Sequence, residues 1–145
     1  MRVSDCMTRG VEITDPQETI GDAAKRMVDR DAGVLPVGEN DRLVGVITDR
    51  DIAVRGVAAG KGPDAKVRDV MSTKVKYCFE DDDVDDVLRD MGKLQVRRLP
   101  VLSRDKRLVG IVSLSDLAMN GSTANAGEAL SDIARPGGEH SQTRH

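Results

Sequence analysis

Residues 43–53 read LVGVITDRDIA and residues 108–118 read LVGIVSLSDLA, so one pattern occurs twice in a chain of 145 residues. The match extends over residues 5–53 and 69–118, with an offset of 64 positions that becomes 65 after a one-residue insertion before the second stretch. A tandem repeat of this length predicts two supersecondary units that bury their faces against each other. Any site in one unit should therefore have a pseudo-symmetric copy in the other.

Each repeat is predicted to run strand, helix, strand, strand, helix. In the first repeat the predicted elements are a strand at 11–14, a helix that begins after Thr19 and ends at Gly33, strands at 34–37 and 43–47, and a second helix that opens at Thr48. The helix prediction rests on apolar residues at helical spacing after an N-capping side chain. The second repeat copies this scheme, with Asp83 as the cap and strands at 96–102 and 108–112.

The domain organisation follows from the repeats and from the Gly/Pro content between them. The sequence predicts one integrated module with repeats at 1–58 and 67–120, a linker at 59–66 and a flexible tail at 121–145. Within that tail, residues 129–134 have the composition for one or two helical turns, and residues 135–145 are predicted to be disordered.

Composition excludes several classes of function. The formal net charge is −3, so no basic field is available for nucleic acid or a membrane surface. Aromatic residues make up 1% of the chain, which predicts an aliphatic core and argues against base stacking. Two cysteines, Cys6 and Cys78, are too few for a disulfide framework, and no signal peptide or membrane-length apolar run is visible. The expected location is the cytoplasm.

No catalytic constellation and no metal site are predicted. The two histidines, His140 and His145, fall in the predicted tail, so histidine-based acid–base chemistry has no residue to use. Cys78 has no histidine partner that would activate it as a nucleophile. The acidic run at 80–83 is interpreted as a solvated helix start, because its spacing fits no defined metal loop.

The repeated strand–Gly–strand–Thr/Ser-x-x-Asp pattern predicts a ligand site. Backbone N–H groups at a helix start favour an anion. A carboxylate one turn into the helix can accept two hydrogen bonds from a cis-diol. A purely structural role stays open for each residue. Thr48 and Ser113 could act only as N-caps, and Asp51 and Asp116 only as first-turn carboxylates that interact favourably with the helix dipole.

Both copies resemble the CBS (cystathionine-β-synthase) domain family. The residues that carry the resemblance are LPV at 35–37 and LVGVITDRDI at 43–52 in the first repeat, and VRRLPV at 96–101 and VGIVSLSDL at 109–117 in the second. The resemblance implies an α+β fold in which two β-α-β-β-α repeats pack sheet to sheet about a pseudo-twofold axis. It also implies a stand-alone regulatory pair of the bacterial kind that requires no cofactor, binds adenosine-containing ligands in two clefts between the repeats, and signals to an unknown effector protein. The implied ligands are AMP, ADP, ATP, S-adenosylmethionine and NAD(H).

Carried over residue by residue, the resemblance implies two sets of ligand contacts. The second-repeat cleft would use Ser113 towards phosphate, Asp116 on the ribose, the basic pair Arg97 and Arg98, Ile111 along the base, and Thr8, Val11, Glu12 and Ala32 from the first repeat. The first-repeat cleft would use Thr48, Asp51 and Val46, with Ser72, Val75, Lys76, Tyr77 and Val96 from the second repeat.

The two implied clefts differ in charge. Gly33 and Val34 occupy the positions of Arg97 and Arg98, so the sequence predicts stronger phosphate binding in the second-repeat cleft. An alternative stays open, in which Arg50 and Lys76 supply the positive charge of the first-repeat cleft. Two alternative functions stay open: a constitutive dimeric interaction protein with non-functional clefts, and a thiol or metal sensor that uses the two cysteines.

A homodimer is also predicted. Its basis is the apolar faces of the two long helices, which one repeat pair is expected to leave partly uncovered; these faces are Ile20/Ala23/Met27 and Val84/Leu88/Met91.

Overall fold

A computed structural model describes residues 1–136, and within it the chain divides into two compact units. Unit 1 contains Met1–Val11, Lys76–Asp105 and the chain from Val109 onward, whereas unit 2 contains Glu12–Val75 and Lys106–Leu108. The units therefore do not follow the repeats along the chain. The first residues of each repeat pack with the other repeat's helices and strands.

Unit 2 carries the first repeat's helices and hairpin. Its elements are α1 (Ile20–Arg30), β1 (Val34–Glu39), β2 (Arg42–Thr48) and α2 (Asp49–Asp51), which continues as a π-helical segment at Ile52–Val57. The Thr19 hydroxyl accepts the N–H of Asp22 at 3.1 Å, which confirms the predicted cap of α1. The helix ends earlier than predicted, because Asp31, and not Gly33, takes the left-handed conformation (φ 50°) that closes it. Aspartate reaches this region more readily than most residues.

The hairpin between β1 and β2 has the predicted position. Its strands are antiparallel, and the turn residues Asn40 and Asp41 both have positive φ, 54° and 63°. Two consecutive left-handed residues are typical of a tight hairpin turn that matches strand twist.

The strand predicted at 11–14 is wrong in extent. Only Thr14 pairs, in a parallel bridge with Val37, where it donates its N–H to the carbonyl of Pro36 at 3.0 Å and accepts the N–H of Gly38 at 3.0 Å. Pro36, which has no N–H to donate, lies inside β1 and takes part in this bridge only as an acceptor.

Unit 1 carries the second repeat's elements. They are β3 (Cys78–Phe79), α3 (Val84–Leu94), β4 (Arg98–Leu102), β5 (Leu108–Ser113, of which Leu108 counts with unit 2), α4 (Leu114–Ala118) and α5 (Thr123–Ala134). The strands form one sheet in the order β3-β4-β5, with β3 parallel to β4. The mixture of helices and small sheets confirms the predicted α+β class.

Helix α5 corrects the prediction of a flexible tail from residue 121. The Asp85 carboxylate accepts the N–H of Ser122 at 2.7 Å and so fixes the start of α5 against α3. A Cβ on Gly92 would lie 3.2 Å from the Ala129 Cα, so the two helices pack closely at this glycine. Helix α5 is held by residues of α3 that lie about 37 positions earlier in the chain, so a local sequence pattern could not predict these contacts. The predicted disorder at 135–145 falls almost wholly on residues 137–145, outside the described residues.

Each unit has its own aliphatic core. The six residues offered as partly uncovered helix faces are buried inside one chain, with exposures of 8% or less. That basis for a dimer is therefore wrong. The large apolar side chains that are exposed on the described helices are Val28, Val54, Val57 and Leu130, and Met119 is exposed directly after α4.

Candidate ligand-binding sites

The two Thr/Ser-x-x-Asp motifs form the same reciprocal box at the start of α2 and of α4. Thr48 Oγ1 accepts the N–H of Asp51 at 2.9 Å, and Asp51 Oδ2 accepts the N–H of Thr48 at 3.0 Å. Ser113 Oγ accepts the N–H of Asp116 at 3.1 Å, and Asp116 Oδ2 accepts the N–H of Ser113 at 3.0 Å. All four residues are therefore helix caps. In each box the hydrogen bond to Oδ2 fixes the aspartate side chain, and this also fixes the position of the other carboxylate oxygen, Oδ1.

The second oxygens have different surroundings. Asp51 Oδ1 lies 4.0 Å from an Arg55 guanidinium nitrogen, and the aspartate side chain is 18% exposed. Asp116 is half-buried, and within residues 1–136 its Oδ1 takes part in no hydrogen bond or ion pair. A fixed, partly desolvated carboxylate oxygen is suited to accept hydrogen bonds from a diol.

A short backbone pairing brings a distant segment beside each box. In unit 1, Thr8 and Ile111 exchange N–H···O=C bonds of 2.9 and 3.0 Å. In unit 2, Ser72 and Val46 do the same at 2.9 and 3.0 Å. Ile111 and Val46 lie two residues before the capping hydroxyl, so Thr8 and Ser72 are placed next to the helix start.

Two glycines make this pairing possible, and the sequence reasoning missed their role. A Cβ on Gly110 would lie 2.8 Å from the Thr8 carbonyl oxygen and 2.7 Å from Met7 Sδ. A Cβ on Gly45 would meet the Ser72 carbonyl oxygen and Met71 Sδ, both at 2.8 Å. The signal was present in the repeat, since a Met-Thr/Ser pair and a strand glycine recur at matched positions.

The predicted contact sets are divided between the two units. Unit 1 holds most of the second-repeat set, namely Ser113, Asp116, Arg97, Arg98, Ile111, Thr8 and Val11, while Glu12 and Ala32 lie in unit 2. Unit 2 holds most of the first-repeat set, namely Thr48, Asp51, Val46, Ser72 and Val75, while Lys76, Tyr77 and Val96 lie in unit 1.

Glu12 has a structural partner that the sequence did not reveal. Its carboxylate accepts hydrogen bonds from Arg26, at 3.0 Å, and from Arg30, and Arg26 also binds Glu18 at 2.8 Å. Both Glu12 oxygens are thereby bound to side chains of α1, and the implied contact of residue 12 with a ligand stays a prediction. The partner arginines lie 14 and 18 positions away along the chain, beyond any local spacing rule.

The backbone around the two boxes is equivalent, but the side chains differ in charge. The N–H of Leu114 donates to the Arg97 carbonyl at 2.8 Å, and the N–H of Asp49 donates to the Gly33 carbonyl at 3.0 Å. Arg97 is exposed, and its backbone is attached to the first residue of α4. The unit 1 box therefore has a basic side chain on the adjoining segment, and the unit 2 box has none at that position.

The thiols are poorly suited to sensing. Burial, with a smaller contribution from Asp82, raises the pKa of Cys78 to about 12. Burial also raises the pKa of Cys6, with Asp116 as the next cause. The thiolate is the form that reacts with oxidants and binds metals, so both shifts disfavour that chemistry. Within residues 1–136, no group of three or more His, Cys, Asp or Glu side chains is arranged to hold a metal ion.

The family model for the CBS domain matches the chain twice, at residues 3–56 and 67–121. The chain belongs to the CBS domain family. Each match contains one capping box, and the two matches leave residues 57–66 and helix α5 outside them.

Relatives and solved structures of CBS proteins resemble this chain along most of their length. The CBS domain-containing protein YhcV of Bacillus subtilis is 41% identical over 133 residues, which cover 91% of this chain and 94% of that protein. Hypoxic response protein 1 of Mycobacterium tuberculosis is 40% identical over 116 residues, covering 79% of this chain and 80% of that protein. A crystal structure of Hypoxic Response Protein I with two coordinated zinc ions matches with a TM-score of 0.76 and 38% identity, over 84% of this chain and 100% of the other.

One neighbour was solved with ligands. The CBS domain pair of protein MJ0100, in complex with 5′-methylthioadenosine and S-adenosyl-L-methionine, matches with a TM-score of 0.71 and 28% identity, over 83% of this chain and 94% of the other. These likenesses support a regulatory, nucleotide-binding type of module. Across residues 1–136, no helix combines the length and the apolar character needed to span a bilayer.

Proposed function

We propose that this CBS pair is a non-enzymatic regulatory module that binds adenosine-containing ligands at its two capping boxes. Asp51 and Asp116 would each hold a ribose diol through Oδ1, and Thr48 and Ser113 would face the 5′ side of the nucleoside. The candidate ligands are AMP, ADP, ATP, S-adenosylmethionine and NAD(H). The bound 5′-methylthioadenosine and S-adenosyl-L-methionine of the MJ0100 pair support this chemical class.

The observation that carries the proposal is the duplicated geometry of the boxes. In each unit a carboxylate is fixed by a backbone N–H at 3.0 Å, and a second segment is docked beside it through two backbone hydrogen bonds. A box that served only to cap a helix would need no such docked segment, because the cap is complete within four residues.

Ligand occupancy would act by favouring one arrangement of the protein over another. A ligand changes such an equilibrium only through its different affinity for the two states. An effector protein or a second copy of this chain would recognise the change in arrangement. For the homodimer, the exposed Val28, Val54 and Val57 of unit 2 offer apolar surface in place of the buried faces first considered.

Isothermal titration calorimetry with adenosine, AMP and ATP tests the proposal. Asp116→Asn keeps an oxygen that can cap the N–H of Ser113 but removes the charge, whereas Asp116→Ala also removes the cap and should lose about 1 kcal/mol of stability. We expect Asp116→Asn to weaken binding at one site by about 1.5–3 kcal/mol, the typical value for a hydrogen bond to a charged group. Thermal unfolding of this variant should stay close to that of the unmodified protein.

Asp22→Asn is the matched control, because it removes a first-turn carboxylate of α1 that belongs to neither box. It should leave both affinities unchanged. If no adenosine compound binds the unmodified protein, the module is a constitutive interaction protein and the proposed ligand function is wrong.

A further inference from the structure

We propose that Asp49 makes the Thr48–Asp51 site selective against phosphate, so that it takes an adenosine-type ligand whose 5′ substituent is neutral or positively charged. This rests on the proposed function, because it assumes that Thr48 and Asp51 hold the nucleoside. The other box, in unit 1, would remain the site for phosphorylated ligands.

The first observation is the position of the Asp49 carboxylate. A Cβ on Gly33 would lie 3.0 Å from Asp49 Oδ2 and 3.5 Å from Oδ1, so the carboxylate lies against the backbone of the segment before β1. In unit 1 the equivalent backbone contact joins Leu114 to Arg97. The matched pairs therefore differ by two charges, since Arg97 with Leu114 carries +1 and Gly33 with Asp49 carries −1.

The second observation concerns the backbone donors at the start of α2. The N–H of Asp49 donates to Gly33 O at 3.0 Å, that of Arg50 to Asp49 Oδ1 at 2.8 Å, and that of Asp51 to Thr48 Oγ1 at 2.9 Å. All three N–H groups of this short helix are already satisfied. A phosphate would find no unused donor among them, whereas such groups are what normally attracts an anion to a helix start.

The start of α4 differs in this respect. Its first and third N–H groups, on Leu114 and Asp116, are used in the same way as in α2. The second, on Ser115, has no side-chain acceptor within residues 1–136, because the residue before it is leucine and not aspartate. The single difference between Asp49 and Leu114 thus adds a negative charge and removes a donor at the same place.

A ligand's 5′ substituent would respond to this difference by its charge. A phosphate meets a fixed carboxylate and loses affinity, because like charges placed together at a binding site are costly. An ammonium or sulfonium group is attracted by the Asp49 carboxylate and gains affinity. A hydroxyl or thioether is neutral, so the charge of Asp49 leaves its affinity unchanged. Arg55 lies 4.0 Å from Asp51 Oδ1 and is half-exposed, and within residues 1–136 no ion pair joins the Asp49 carboxylate to a basic side chain.

Calorimetry in an Asp116→Asn background, in which the unit 1 box is weakened, isolates the site. The probes are adenosine, AMP and 5′-amino-5′-deoxyadenosine, which differ in the charge of the 5′ group. We expect the amine to bind most tightly and AMP most weakly. Raising the salt concentration should narrow the gap, because salt screens exposed charges.

Asp49→Asn keeps the size and an acceptor oxygen of the side chain. In the same background it should raise AMP affinity relative to adenosine by about fivefold or more and lower the affinity of the amine by a similar factor. Adenosine itself should be unaffected. Asp49→Leu, which installs the residue of the second repeat, should act in the same direction, and Asp22→Asn should leave all three affinities as they were.

The outcomes separate this inference from the proposed function. If adenosine binds but both Asp49 variants leave the ratio of AMP to adenosine affinity unchanged, the selectivity role of Asp49 is overturned while the ligand function stands. If none of the probes binds the unmodified protein, the two proposals fail together.

Discussion

Replacing Gly110 by alanine should detach the N-terminal segment from β5. The added Cβ would lie 2.7 Å from Met7 Sδ and 2.8 Å from the Thr8 carbonyl oxygen. The sulfur can move away by rotation of a flexible side chain, but the carbonyl belongs to the backbone. It can retreat only if the Thr8–Ile111 pairing opens.

The expected cost follows from what the pairing contains. Two backbone hydrogen bonds, of 2.9 and 3.0 Å, would be lost, at about 0.5–1.5 kcal/mol each. Alanine also restricts the unfolded chain, which returns about 0.4–1 kcal/mol. The loss outweighs the gain, so we expect a net destabilisation of about 1–2 kcal/mol. For a chain of this size that corresponds to a melting temperature lower by several degrees.

Thermal unfolding and hydrogen exchange check this result together. The amides of Thr8 and Ile111 should lose protection, since they are the two donors of the pair. Gly127→Ala is the matched control, because a Cβ there has nothing within 4 Å in helix α5, and it should stabilise the protein by about 0.5–1 kcal/mol.

The role of the backbone clash can be refuted directly. Adding Met7→Ala to Gly110→Ala removes the sulfur contact and leaves the contact with the Thr8 carbonyl. We expect no recovery of the Thr8 protection. Full recovery, or an unchanged melting temperature in the single variant, would show that the close approach of the two backbones does not require glycine.

Three further predictions concern other parts of the molecule. Thr14→Val should raise stability by about 1 kcal/mol, because the Thr14 hydroxyl is fully buried and has no hydrogen-bond partner among residues 1–136; a lower melting temperature would contradict this. The Ser122 N–H lowers the pKa of Asp85 from its ordinary 3.8, so its contribution to holding α5 is complete above pH 3.8 and is lost as the pH falls through the lowered value. Amide exchange in α5 should therefore accelerate in acid, and Asp85→Asn should abolish that acid dependence. Finally, Arg97→Ala with Arg98→Ala should remove any preference for ATP over adenosine at the unit 1 box, measured by calorimetry at two salt concentrations; a preference that persists would exclude these guanidinium groups as the phosphate contacts.

The capping boxes are the part of the site that the sequence predicted best. Thr48 with Asp51, and Ser113 with Asp116, interact three residues apart, so the hydrogen bonds are set by local helix geometry. The unequal charge of the two boxes was also predicted from the aligned repeats, through Arg97 and Arg98, whereas the part of Asp49 in it was not.

The start of helix α5 and the ion pairs of Glu12 were not predicted from the sequence. Helix α5 carries little apolar periodicity, and its start depends on Asp85, which lies 37 residues earlier. Glu12 was named through the family resemblance, and nothing near it in the sequence indicates its ion pairs with Arg26 and Arg30. In both cases the deciding partner is a charged side chain whose distance along the chain follows no pattern.

The sequence by itself determined the repeat, the α+β class, the CBS family and the two boxes, because each depends on residues close in sequence or on the match between the copies. Only the tertiary structure decided that Thr8 lies on Ile111 and Ser72 on Val46, since these pairs join segments 103 and 26 positions apart. The physical reason is the missing side chain of Gly110 and of Gly45. A glycine in a strand is compatible with many structures. The sequence does not show that a neighbouring backbone segment packs against it and leaves no room for a Cβ; only the tertiary structure does.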